Sequence, residues 1–373
     1  MKKASLLLTL PFSLTLWSQT TQALDIDKLE LPEGFKISVY AENVKNARQM
    51  ALGRNGTVFV GSRGAGLVHA VVDTDKDGTA DKVVEVASGL TMPSGVAVKD
   101  GDLYVAAISK VFKYSDIEST YAQKPQPETV IDDLPSERHH GWKNIAFGPD
   151  DQLYVPVGTP CNVCITKGGE KFDDEIYDSI VKYDLKTKKR KFVARGVRNS
   201  VGFDWHPETK ELWFTDNGRD WLGDELPPCE INRVAVEGEH FGYPFFHGGL
   251  VADPEFSKGK KAEDYTQPAL RLGAHVAPLG IHFYQGDMFP KDYKKKVLVA
   301  EHGSWNRSNK VGYRVMIADV DGNELKDYKP FITGFLQGDE VIGRPVAFLP
   351  MPDGSLLISD DFANAIYKVS YSK

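Results

Sequence analysis

Apolar and polar positions alternate along this chain in short bursts, and six stretches share one layout: an extended apolar run, a tight turn rich in Gly, Asp, Asn or Pro, and a second apolar run. The stretches are ALGRNGTVFVG from Ala51, AVKDGDLYVA from Ala97, the second half of HHGWKNIAFGPDDQLYVPVG (His139 to Gly158), FDWHPETKELWFT from Phe203, the looser HFYQGDMFPKDYKKKVLVA from His282, and AFLPMPDGSLLISD from Ala347. In the third, Pro149-Asp150-Asp151 reads as the turn and Gln152-Leu153-Tyr154-Val155 as the strand leaving it. Copies spaced by roughly 45 to 80 residues, with short strands and turns between them, predict four-stranded propeller blades rather than helical repeats. No long window has apolar positions recurring at three and four residues, so a helical solenoid is excluded. The expectation is an all-β, six-bladed β-propeller of antiparallel blades, one domain over residues 24–373. The wider spacings around the fourth and fifth copies leave room for long loops on one face, where such folds keep their chemistry.

The N-terminal MKKASLLLTLPFSLTLWSQTTQA joins two lysines, an apolar run and a small-residue ending. This predicts a secretory signal over residues 1–23, cleaved near Ala23, and a periplasmic or secreted protein. The run is interrupted by Pro11 and Ser13, and no later stretch is long enough to cross a bilayer, so no transmembrane segment is expected. The chain carries 45 Lys and Arg against 52 Asp and Glu, a net charge of −7, and loss of the leader removes two lysines. That acidity argues against a nucleic-acid partner.

Three cysteines enter an oxidising compartment: Cys161 and Cys164 in a C-x-x-C, and Cys229. Ile165 follows the pair where haem attachment needs His, and no second pair completes a zinc site, so a disulfide, either local or reaching Cys229, is the expectation. The run Asp73-Thr-Asp75-Lys-Asp77-Gly78-Thr79-Ala-Asp81 alternates oxygen donors around a glycine, like the first part of a calcium loop. Val84 stands at the twelfth position in place of Glu, so a shorter loop ligated by Asp73, Asp75, Asp77 and Asp81 is expected, with a structural role. The alternative is an acidic hairpin turn.

The ordered motifs HHGWKNIAFGPDDQLYVPVG, GVRNSVGFDWHP, TDNGRDWLGDELPPCEINRV, HFGYP, APLGIHFY and GRPVAFLPMPDGSLLISDDFANAIYKV resemble the pyrroloquinoline-quinone-dependent soluble sugar dehydrogenases. AEHGSWNRS from Ala300 and CNVC from Cys161 resemble their L-sorbosone dehydrogenase branch. The resemblance implies oxidation of an aldose or sugar-derived aldehyde, by hydride transfer to the quinone while a histidine takes the hydroxyl proton. It implies pyrroloquinoline quinone and calcium as cofactors, and a quinone or cytochrome as electron acceptor. A base must stand within hydrogen-bond reach of the hydroxyl, and cations must already surround the oxygens that gain charge.

Carried over by motif, His140 is the base, while His139 falls out of register. Arg198, Asn199 and Asn217 are cofactor contacts, with Arg344 the arginine that neutralises cofactor carboxylates. The backbone carbonyls of Gly218 and Arg219 would hold the cofactor's calcium, and Glu230 with the Phe241 carbonyl a second one. Three departures stand out: Thr159 replaces the acid that supports the base, Val346 replaces a second arginine, and His302 falls near the cofactor lysine, as a cation or hydrogen-bond donor to the quinone. Loss of the acid lowers the imidazole pKa unless Glu301 or Asp216 substitutes. Trp142 and Trp305 are candidates for an aromatic wall. Two rival functions fit the same fold: a calcium-dependent lactonase or esterase, and a propeller that only binds partners.

Overall fold

The computed structural model describes residues 25–167, 170–171 and 176–372; the leader assigned to residues 1–23 lies outside them. Six antiparallel sheets form a six-bladed β-propeller. Blade 1 runs Ala47–Leu52, Val58–Ser62, Val68–Val72 and Lys82–Ala87, and blade 2 runs Gly95–Lys99, Asp102–Ala106, Val111–Tyr114 and Glu128–Ile131. Blade 3 is Ala146–Phe147, Leu153–Val157, Ser179–Asp184 and Lys189–Arg195, with Glu239–His240 added in parallel at its edge. Blade 4 is Phe203–Trp205, Leu212–Asp216, Pro228–Arg233 and Leu270–Ala274, and blade 5 is Pro278–Phe283, Lys296–Glu301, Arg314–Asp321 and Glu324–Ile332. Blade 6 takes Pro345–Pro350, Leu356–Asp360 and Ala365–Tyr371 from the C-terminus and Phe35–Ala41 from the N-terminus, registered Phe35 to Tyr371 and Ile37 to Val369. Pairing the two ends closes the ring and removes an open edge.

Each of the six repeated stretches supplies the first two strands of one blade. The second strands read as continuous apolar runs because both their faces are covered: Val58–Ser62, Leu153–Val157, Leu212–Asp216 and Leu356–Asp360 are buried throughout. The core is accordingly divided into six larger clusters, one between each pair of neighbouring blades, and a small seventh of Val201, Leu279, Val346 and Ala347 among the inner strands. Val60 and Val71 of blade 1 pack with Leu357 and Ile366 of blade 6, and Val155 and Val181 of blade 3 pack with Ala106 and Val111 of blade 2. The first strands lie side by side around the middle, blade 1 against blades 2 and 6, and blade 5 against blades 4 and 6.

This geometry decides where chemistry can sit. Within each blade, the residue leaving the second strand and the residue entering the first emerge at the same end of the ring. The long loops foreseen near the fourth and fifth copies are residues 234–269 and 302–313. Among the described residues no helix is long and apolar enough to cross a membrane.

Candidate functional site

A cavity of about 550 Å³ opens at that end of the ring. Arg63, Asn217 with Gly218, and His302 reach it from the ends of second strands in blades 1, 4 and 5. His140, Arg198, Asn199 and Arg344 reach it from the segments that enter blades 3, 4 and 6. The fold thus gathers side chains from Arg48 to Arg344 into one pocket of a size suited to a cofactor or drug-sized ligand.

His140 is buried, with a backbone φ of 51°. The chain opposite it is Gly158, where a Cβ would come within 2.8 Å of the His140 Cβ and 2.9 Å of its carbonyl oxygen. His140 Nδ1 lies 3.0 Å from the Thr159 carbonyl oxygen. A carbonyl only accepts, so Nδ1 carries the proton and Nε2 the lone pair. Burial, then the positive charge of Arg198 and the neighbouring His139, hold this imidazole well below its ordinary pKa. The group is neutral at physiological pH and ready to accept a proton. Neither acid weighed as a substitute reaches it. Glu301 is bound by Arg314 at 2.7 Å and Tyr328 at 2.9 Å, and Asp216 accepts the backbone N–H groups of Arg198 and Asn199 at 2.9 and 2.7 Å. The Thr159 side chain is engaged by the Tyr243 hydroxyl, 3.0 Å away.

Arg198 is held from several sides. Its Nε and Nη2 donate to the carbonyl and side-chain oxygens of Asn162, at 2.9 and 2.8 Å, and Nη1 donates to the Asn217 carbonyl at 3.1 Å. Asn162 sits inside a loop closed by a Cys161–Cys164 disulfide, which resolves the pairing left open by sequence. Cys229 is a free buried thiol on the cavity wall, and burial pushes its pKa up to about 11, so it is no nucleophile. Asn199 Oδ1 is buried without a hydrogen-bond partner. Arg344 donates to the carbonyls of His302 and Gly303 at 3.0 and 2.8 Å. Trp142 and Trp305 both line the cavity, Trp142 beneath the Arg63 guanidinium at 3.8 Å from its ring centre. Val346 is fully buried beside Leu279 and Trp142 and takes no part in the lining.

His302 also faces the cavity, but its Nε2 lies 2.7 Å from Asp361, whose other oxygen accepts from Arg48 at 2.9 Å. Burial pulls the imidazole down to about 4, against the pull of Asp361, and the Asp361 carboxylate stays ionised beside Arg48 and the His302 N–H despite its burial. His302 is therefore a neutral ring that spends its N–H on Asp361. The cations on this side are Arg48 and Arg63, which the sequence reading missed. Arg48 is inside a strand, where alternation assigns residues only to a face, and Arg63 sits in GSRGAG, which reads as a turn. Their signal is topological: Arg63 follows a blade's second strand, as Asn217 and His302 do.

A small void of about 10 Å³ adjoins the cavity and is lined by Asp216, Gly218, Glu230 and Phe241. Three of the four residues assigned by resemblance to two calcium ions, Gly218, Glu230 and Phe241, therefore converge on one place, and Arg219 follows Gly218 outside its lining. Asp216 and Glu230 pair across blade 4, and burial together with mutual repulsion pushes Glu230 up to about 8; burial does the same to Asp216, up to about 6. Among the described residues no hydrogen bond reaches the carbonyls of Gly218, Arg219 or Phe241. The Arg219 side chain turns away to Asp253. Two buried acids with unpaired carbonyls are the donor set a hard cation takes. In the exposed loop, Asp73, Asp75 and Asp81 bring carboxylate oxygens within 4.8 Å of one another. Asp77 stays outside that group, its carboxylate capping the Thr79 N–H at 2.7 Å.

Similarity to known proteins agrees with this architecture. The holo form of the pyranose dehydrogenase PQQ domain from Coprinopsis cinerea superposes with a TM-score of 0.73 at 16% identity, over 92% of this chain and 97% of that one. The calcium structure of Trichoderma reesei Carbohydrate-Active Enzymes Family AA12 gives 0.78 at 19%, over 92% and 97%. The PQQ-bound aldose sugar dehydrogenase from Streptomyces coelicolor gives 0.65 at 18%, over 92% and 100%. At these identities the likeness is one of fold. An uncharacterized protein from Borreliella burgdorferi is 37% identical over 360 residues, 92% of this chain and 91% of its own. A family model described as a domain of unknown function, DUF7133, matches residues 21–370. The chain belongs to the DUF7133 family, built on a six-bladed propeller.

Proposed function

We propose that the protein is a quinoprotein dehydrogenase that oxidises an aldose or sugar-derived aldehyde, of the kind acted on by the L-sorbosone dehydrogenase branch, with pyrroloquinoline quinone and calcium as cofactors. The observation that carries this reading is the cavity itself. It sets the buried His140 imidazole, whose Nδ1 is held by the Thr159 carbonyl, among Arg48, Arg63, Arg198 and Arg344, inside an otherwise acidic chain. Such a concentration of guanidinium groups suits a tricarboxylate, and the buried unpaired Asn199 Oδ1 and Arg48 Nε are groups a polar ligand would satisfy.

When bound, the quinone supplies the two-electron acceptor and the calcium a field on its oxygens. The chain's own residues do the rest. His140 Nε2 takes the hydroxyl proton as hydride leaves the same carbon; a hemiacetal then becomes a lactone, and an aldehyde hydrate an acid. The Thr159 carbonyl holds the ring in the accepting tautomer. Arg344, Arg198, Asn199 and Asn217 orient the carboxylated ring system, while His302 and Asp361 fix Arg48 beside it. The Gly218 and Arg219 carbonyls, with Asp216, Glu230 and the Phe241 carbonyl behind them, would hold calcium, and Asp73, Asp75 and Asp81 a structural ion. The leader cleaved near Ala23 sends the protein to the periplasm or outside the cell, where a quinone or cytochrome takes the electrons.

The test is titration of the chelator-stripped protein with pyrroloquinoline quinone and calcium. Stoichiometric quinone binding that requires calcium, and dye reduction with aldoses or sorbosone-like aldehydes, is the expected result. Hydrolysis of lactones by quinone-free, calcium-loaded protein, with no quinone binding at micromolar concentration, would replace this reading with a lactonase.

A further inference from the structure

Outside the cavity, at its mouth, two tryptophans stand in the open. Trp221 is 66% exposed and Trp305 67%, whereas the other described tryptophans are buried or half-buried. Their ring centres are 5.5 Å apart and their planes meet at 85°, so the two rings form a corner. Trp305 belongs to the cavity wall, which makes the corner continuous with the site.

The corner is built rather than incidental. Trp221 has a backbone φ of 69°, a left-handed conformation that costs a bulky side chain energy and persists only where surroundings enforce it. The enforcement is visible. The Trp221 N–H donates to Asn306 Oδ1 at 3.0 Å, and the Ser308 N–H donates to Asp224 Oδ1 at 3.0 Å. Arg307 clasps the Asp224 carbonyl and the Glu225 carboxylate, and His275 Nε2 meets the Gly223 carbonyl at 2.8 Å. Two loops, from blades 4 and 5, are thereby lashed together so that two large apolar rings face water. Burying them would be favourable, so their exposure points to a ligand.

Size selects the ligand. Two tryptophan side chains offer at most a few hundred Å², well below the roughly 800 Å² per partner of a stable protein interface. They match one or two sugar rings, whose C–H faces pack on aromatic faces while their hydroxyls stay at the edge. Asn306 Nδ2, which makes no hydrogen bond among the described residues, stands beside the corner as a donor for such a hydroxyl.

We propose that Trp221 and Trp305 form an outer sugar subsite, so that the substrate is an oligosaccharide whose terminal ring enters the cavity while the next ring lies in the tryptophan corner. This rests on the reading of the cavity as a sugar site, and it adds that one ring does not fill the binding surface.

The experiment measures binding of glucose and of the maltose and cellobiose series, one to four rings, to the purified full chain by tryptophan fluorescence and calorimetry, with and without added quinone and calcium. The expected result is that two or three rings bind about tenfold tighter than one in at least one series, the effect of one stacked ring, and that Trp221→Ala removes this increment. Trp221→Phe restores part of it. Affinity independent of chain length, or an increment untouched by Trp221→Ala, overturns the proposal. So does a Trp221→Ala variant that loses binding to a c-type cytochrome while binding saccharides as before, since the corner then serves a protein partner. Failure of quinone binding with the chain-length increment intact would refute the dehydrogenase and leave the subsite standing.

Discussion

His140 and His302 face one cavity from the entry to blade 3 and the end of the second strand of blade 5, and their surroundings are mirror opposites. His140 gives its Nδ1 proton to a neutral backbone carbonyl, the Thr159 oxygen, and keeps Nε2 for the cavity. His302 gives its Nε2 proton to an ionised carboxylate, Asp361, which is shared with Arg48. Both rings are buried and both are held neutral, yet only the first stands apart from any salt bridge. The difference teaches that an imidazole's role is written in what its other nitrogen binds. His140 is oriented as a proton acceptor, and His302 is part of the frame that immobilises a cation.

The largest expected effect separates the two rings directly. His140→Ala lowers kcat by about a hundredfold or more, whereas His302→Ala retains well over a tenth of the activity and instead weakens quinone affinity; single-turnover rates and quinone titrations on both variants check this, and the reverse ranking would exchange the roles. Next in size is Asp361→Asn, which leaves the buried Arg48 guanidinium without its counter-charge and destabilises the fold by about 3 kcal/mol, read as a lowered midpoint in denaturant. The corresponding change on the other side, Thr159→Val, spares the carbonyl that binds His140 and costs about 1 kcal/mol through the one hydrogen bond to the Tyr243 hydroxyl that it removes.

Acid exposes the same contrast. His302 has a folded pKa of about 4 against an unfolded value of about 6.5. The unfolded chain therefore binds the proton first as pH falls, so the stability this ring contributes is complete above pH about 6.5 and is lost progressively down to its folded pKa, by on the order of 3 kcal/mol. Thermal midpoints between neutral pH and that limit follow the loss, and His302→Gln flattens it. His140 reports in the rate. Its acid limb in kcat/KM lies well below pH 6.5, and Arg198→Gln moves the limb toward neutrality by removing one of the charges that depress it. The smallest effect is expected of Gly158→Ala, whose methyl group presses on the His140 Cβ and carbonyl and shifts the ring from its bond to Thr159; activity falls severalfold with little change in quinone affinity.

Much of this was legible in the sequence, for a definite reason. Six hairpins stood out because a strand covered on both faces must be apolar throughout and must end in a turn. Residues at the ends of those hairpins then had to share one end of the ring, and the resemblance of the motifs to the sugar dehydrogenases singled out His140, Arg198, Asn199, Asn217 and Arg344 among them. What could not be read was partnership across the ring. Asp361 is 59 residues from His302 and 313 from Arg48, and only closure of blade 6 by both termini brings them together. The cation reading of His302 followed from its place in the chain, and the structure gives that charge to Arg48 and Arg63. Asn162 reads as a spacer between two cysteines until its side chain is seen holding Arg198 and the Asp220 N–H. In the Asp73 loop the spacing allowed four ligands, and the structure brings together the carboxylates of Asp73, Asp75 and Asp81 while that of Asp77 caps Thr79.

The most direct test of the account follows the absorbance of quinone bound to the protein when an aldose is added in a single turnover, for the wild type and for His140→Ala. The prediction is rapid reduction in the wild type, and in the variant equal quinone occupancy with reduction slowed by about a hundredfold or more. Equal rates in the two proteins, or no reduction in a fully loaded wild type by any aldose or sugar aldehyde, would contradict it.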